Sequence, residues 1–112
     1  MPPPTDDILP GTLDLLILKT LSWGPRHGYA IGQWLEASTD AALQIEEGSL
    51  YPGLYRMERK GWIEAEWGRS ELGRRAKFYH LTGAGRARLR DEVARWHRVS
   101  GAVAKVLGSA EG

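Results

Sequence analysis

Cysteine is absent from the 112-residue chain. Neither a disulfide framework nor a thiolate metal site can form. Long hydrophobic runs are absent too. The stretch from Leu13 to Leu21 is broken by Asp14 and Lys19, and a membrane span needs about 18 or more apolar residues in a row. Met1-Pro2-Pro3-Pro4, followed by two aspartates, lacks the basic and apolar regions of a signal peptide. The expectation is a reducing, cytoplasmic location with no membrane contact. Catalytic signatures are missing as well. His27, His80 and His97 lie far apart, with no carboxylate at metal-ligand spacing. No serine sits in a nucleophile elbow, and no glycine-rich phosphate loop follows a strand. Neither an enzyme nor a bound cofactor or metal is expected. Repeats and a separate linker are also lacking.

What is present is one domain's worth of chain, 42% apolar, with a net charge of +1. The charge is unevenly divided. Residues 1–47 carry two basic and seven acidic side chains, a balance of −5. Residues 48–112 carry thirteen basic and seven acidic ones, a balance of +6. Such asymmetry points to one face that meets a polyanion.

The central stretch runs from Glu46 to Trp62. Leu50, Leu54 and Met57 recur at i, i+4 and i+7, one buried stripe of a helix. Ser49, Pro52, Gly53, Arg56 and Lys60 are expected on the opposite surface. Pro52 is tolerated in a first turn, so the helix should begin near Gly48 or Ser49, with Ser49 as N-cap. Gly61 should end it, after cations that suit its C-terminus.

Other elements fall around it. Residues 1–9 read as a loose arm and Pro10-Gly11 as a turn. A helix capped by Thr12 should reach about Ser22. Leu13, Leu16 and Ile17 belong to its nearly all-round apolar surface, which calls for a partner chain. Trp23 to Arg26 reads as a turn, and His27-Gly28 opens a second helix to about Ala37. Leu43 to Ile45 reads as a short extended piece. Residues 62–67 and 76–81 alternate as strands of a hairpin. Its loop is basic, with Arg69, Arg74, Arg75 and Lys77 against Glu71. Thr82 should cap a last helix reaching about Leu107, on the order of 37 Å long. Leu89, Val93, Trp96, Val103 and Leu107 form a seam along it. The fold class expected is α+β, mainly α: a winged helix-turn-helix over residues 10–81 and a dimerisation helix with a frayed tail over 82–112. In such an arrangement a helix enters the major groove, and wing cations neutralise phosphate.

Four motifs also resemble one family. They are His27-Gly28-Tyr29-Ala30-Ile31, Glu47-Gly48-Ser49-Leu50-Tyr51-Pro52, Arg56 to Ile63, and Tyr79-His80-Leu81-Thr82 with Gly85. Together they are similar to the PadR family of bacterial transcriptional regulators, in its small subgroup with a single C-terminal helix. The resemblance covers about Pro10 to Gly85. Met57 departs from it, standing where leucine is usual. The resemblance implies a homodimer that binds palindromic double-stranded DNA and represses. It implies that Ser49, Tyr51, Pro52, Tyr55 and Arg56 face the groove, with the wing arginines on the backbone. Tyr51 and Tyr55 could equally pack on the second helix. Arg56 is the candidate for a guanine contact, and Tyr29 for positioning and phosphate. Trp96 is either dimer core or the wall of a pocket for a flat aromatic or lipophilic effector.

Overall fold

The computed structural model describes residues 11–109. The expected arm at 1–9 and the last three residues of the tail lie outside it. Four helices and three short strands follow one another: α1 (Thr12–Leu21), β1 (Arg26–His27), α2 (Gly28–Ser38), α3 (Glu47–Arg59), β2 (Ile63–Arg69), β3 (Arg75–Leu81) and α4 (Gly83–Ser109). The strands form an antiparallel sheet in the order β1-β3-β2. Its long hairpin runs in register from Ile63 opposite Leu81 to Arg69 opposite Arg75. This is the expected α+β, mainly helical winged helix. Among the described residues no helix is long and apolar enough to cross a membrane.

The core is made where three helices meet the base of the sheet. Ile17, Leu18 and Leu21 come from α1, and Ile31 and Leu35 from α2. Leu50, Leu54 and Met57 come from α3, and Ile63, Tyr79 and Leu81 from the sheet. Ile17 is fully buried in this core. It therefore cannot supply a dimer surface, because α1 lies between α2, α3 and α4 and spends that side on its own chain. Leu13 and Leu16 are half-buried beside it.

Three boundaries differ from expectation. Gly11, with φ of 88°, occupies the N-cap of α1, and Thr12 is already helical. α3 begins at Glu47, so Ser49 is no N-cap; its N–H bonds the Glu46 carbonyl at 3.0 Å. Pro52 consequently lies in the second turn, where it removes a bond to the Gly48 carbonyl. Gly48 and Pro52 are both exposed, so water can satisfy that carbonyl. The third difference is the extra strand. Arg26–His27 pairs with Tyr79 and Phe78 on the open edge of β3, whereas Leu43–Ile45 is not a strand. Asp40 and Ala41 both have positive φ there, and the turn they make leaves that segment with no strand beside it.

α4 is attached to the body at its first turn. The Thr82 hydroxyl donates to the Gly61 carbonyl at 2.6 Å and accepts from the Gly85 N–H at 3.0 Å. Gly85 comes so close to the Trp62 carbonyl that an added Cβ would sit 1.9 Å from its oxygen. The obstacle is backbone and cannot swing away. Gly85→Ala should therefore lower the thermal midpoint by about 10 °C, the effect of a severe overpacking. An unchanged midpoint in a melting experiment would contradict this account of the junction.

Candidate nucleic-acid interface

The concave side of the fold is bounded by the start of α2, the outer face of α3 and the hairpin. His27 makes the first boundary. It stands in an extended conformation before α2, and its Nδ1 accepts the Ala30 N–H at 3.2 Å. Its ring meets Phe78 edge-on, 5.3 Å between centroids. The next residue, Gly28, is buried under the ring of Tyr51, which an added Cβ would approach to 2.7 Å. Tyr51 thus packs on α2 and is half-buried. Burial, together with the Glu47 carboxylate and Tyr55, pushes its hydroxyl pKa up. Tyr29, one residue on, is exposed.

On α3 the apolar stripe turns Gly48, Pro52, Tyr55 and Arg59 outward, with exposed Ser49 beside them. Two expectations for this helix are corrected. Gly53 is buried, not outward: an added Cβ would touch Ile17 and Leu13 of α1 at 3.7 and 3.8 Å. Arg56 turns to the same side, where its guanidinium pairs with the Asp14 carboxylate of α1. It keeps 43% side-chain exposure, but a base contact would have to compete with Asp14. The start of α3 is acidic, with Glu46 and Glu47 both exposed. Positive charge on this side of the fold must therefore come mainly from elsewhere.

The hairpin supplies it. Its tip is closed by the Ser70 N–H on the Arg74 carbonyl and the Gly73 N–H on the Ser70 carbonyl, both 2.8 Å. Gly73 takes φ of 73° there, a value that suits glycine. Arg69 donates to the Gly73 carbonyl at 3.0 Å. Arg69, Arg74 and Arg75 are all exposed, and among the described residues none of them pairs with a carboxylate. Lys77 differs. It turns back to α3 and pairs with Glu58 at 3.2 Å. Between these walls lies a groove of about 880 Å³, aromatic on its floor and cationic on the hairpin side. Tyr79 forms part of the floor. It is 1% exposed, and burial, with smaller contributions from Tyr55, Glu58 and Tyr51, pushes its hydroxyl up to about 12.

Trp67 is the residue that sequence reasoning missed. Its alternation with Ile63 and Ala65 reads as core packing. Four residues beyond Ile63, however, the strand has travelled about 13 Å and has left the core behind. Trp67 is 59% exposed on the groove wall, with the Arg75 guanidinium 4.4 Å from its ring centroid. Stacking of this kind holds a guanidinium in place without neutralising it. Among the described residues no cluster of three or more acidic or histidine side chains could hold a metal.

The model of the transcriptional regulator PadR-like family matches residues 17–91. The chain is 38% identical to Uncharacterized protein X of Lysinibacillus sphaericus, over 83% of this chain and 85% of that one. A solved transcriptional regulator from Clostridium thermocellum superposes with a TM-score of 0.78 at 28% identity, covering 85% of this chain and 92% of the other. A solved PadR-like transcriptional regulator from Bacillus cereus gives 0.75 at 33% identity, with 87% and 92% covered.

The raised tyrosines make stability depend on alkali. Below the ordinary tyrosine value of 10.0 both folded and unfolded chains hold these protons, and the contribution is complete. Between 10.0 and about 12 the unfolded chain loses the Tyr79 proton first, so stability falls as pH rises. Urea unfolding across this window should show that fall, and Tyr79→Phe should reduce it. Equal slopes in the two proteins would contradict the assignment.

Proposed function

This chain belongs to the PadR-like family of transcriptional regulators, and we propose that it represses by binding a palindromic operator as a homodimer. DNA-binding regulation is the family's activity. The outward stripe of α3, through Ser49, Pro52 and Tyr55, enters the major groove. Tyr51 steadies it by packing on Gly28 of α2, and Arg56 reaches the groove edge from its Asp14 pair. Arg69, Arg74 and Arg75 lie along the phosphates, and Tyr29 adds a further phosphate contact. One observation supports this most: Arg74 and Arg75, which pair with no carboxylate among the described residues, line one concave surface together with Tyr55 of the outward stripe of α3. A major groove about 12 Å wide accepts one helix.

The homodimer reading rests on α4. It has 27 residues, about 40 Å of helix. Trp96, Val99, Val103 and Leu107 are exposed along it. Leu89 packs on the chain's own core and Val93 is half-buried, so the free seam begins near Trp96. Apolar residues at this spacing suit a second helix, and Leu13 and Leu16 of α1, half-buried against the chain's own core, have only their remaining surface to offer it. Two copies would present their α3 helices to half-sites about 34–36 Å apart, or a multiple of that. An effector at Trp96 has less support. The hollow between Trp96 and the start of α1 is about 180 Å³ within one chain, so a ligand pocket of roughly 300–1,000 Å³ there would need the second copy to complete it.

Replacing Arg74 and Arg75 together by alanine should weaken binding to every duplex alike. It should also flatten the slope of log K against log salt by about 1.8, for two phosphate contacts. A filter-binding or fluorescence titration series in salt measures this. An unchanged slope would show that the hairpin does not touch phosphate.

A further inference from the structure

The hairpin is held by the core only at its base. Ile63, Tyr79 and Leu81 are buried and Ala65 is half-buried, whereas from Trp67 outward β2 is largely exposed and the facing part of β3 is half-buried or exposed. Lys77 lies opposite Trp67, at the register where support from the core has ended. Its ammonium reaches back across the groove wall to the Glu58 carboxylate of α3 at 3.2 Å. It also lies 5.5 Å from the ring centroids of Tyr55, on α3, and Tyr79, on β3. Lys77 and Glu58 are only 30% and 35% exposed in their side chains. A lysine that meets phosphate needs a free, solvated charge. This one already has a counter-charge and two aromatic faces.

We propose that the Lys77–Glu58 pair is a clasp that sets the angle between α3 and the hairpin, so that Lys77 is a positioning residue for DNA recognition and not a phosphate contact. The pair joins the two parts that must meet one duplex at a fixed separation, at the point where no buried side chain does so. The Lys77 ammonium also lies beside Tyr55, whose exposed ring lines the groove. A neutralised lysine displaces no counterion from DNA, so its role leaves no trace in the salt dependence of binding. Its trace is in discrimination: operator binding needs helix and hairpin in register together, whereas binding to random duplex needs only charge. The inference rests on the reading that α3 and the hairpin meet DNA together.

The test uses the full chain and an operator selected by the wild type from a random duplex pool. Lys77→Met, Glu58→Gln, the double variant, Lys77→Arg and Arg74→Ala are compared at a temperature where each is folded by circular dichroism. Lys77→Met and Glu58→Gln should each lower the ratio of operator to random-duplex affinity about fivefold, the upper range for a half-exposed ion pair. The double variant should lose no more than either single one, and Lys77→Arg should keep the ratio. The salt slope should stay at the wild-type value in Lys77→Met and fall by about 0.9 in Arg74→Ala. A fall of about 0.9 in Lys77→Met, or an unchanged affinity ratio in Glu58→Gln, overturns the clasp while leaving the interface in place. Failure of the wild type to select any duplex overturns the interface reading, and the clasp with it.

Discussion

Leu50, Leu54 and Met57 must be buried, and a single helix of 13 residues carries all three. That requirement decides which way α3 faces. With one stripe committed to the core, Gly48, Pro52, Tyr55 and Arg59 can only point outward. Gly53 on the same helix faces Ile17 and Leu13 of α1, and Asp14 pairs with Arg56 across that contact. Tyr51 completes the fit by filling the space that Gly28 leaves open on α2. The outer face of α3 is thus shaped by what its inner face has to hide.

The core also ends abruptly, and the exposed groove wall begins where it ends. β2 and β3 leave the buried base near Ala65 and continue into water. Beyond that point the hairpin is held to α3 by the Lys77–Glu58 pair, and two further contacts keep charge available: the Trp67 indole under Arg75, and the Arg69 guanidinium on the Gly73 carbonyl. The start of α3, acidic at Glu46 and Glu47, and the arginines of the hairpin differ in character. One part carries small and aromatic groups suited to base edges, and the other carries unpaired charge suited to phosphate. The junction of Thr82, Gly85 and Trp62 launches α4 away from this face. Its exposed apolar seam therefore lies on a separate element from the groove.

Much of the architecture was legible because it is local. The i, i+4, i+7 stripe of α3, the alternation of the hairpin and the Thr82 cap all lie within a few residues of their causes. What escaped depends on partners distant in sequence. Arg26–His27 is a strand only because the edge of β3 lies beside it. Arg56 finds Asp14 forty-two positions away, and no local pattern reveals that pairing. Ile17 read as partner surface because α1 is apolar nearly all round, whereas α2, α3 and α4 of the same chain use most of that surface. Trp67 read as core because alternation reports the face of a strand and not how far along it the core extends.

The central claim is that the outer face of α3 and the hairpin tip engage one duplex as a single surface. Amide hydrogen exchange of the full chain, with and without a selected operator duplex, tests it most directly. The account predicts slower exchange in the duplex complex at residues 48–56 and 69–77 together, with the α4 seam unchanged between the two states. Slowing confined to α4, or slowing in one of the two segments without the other, would contradict it.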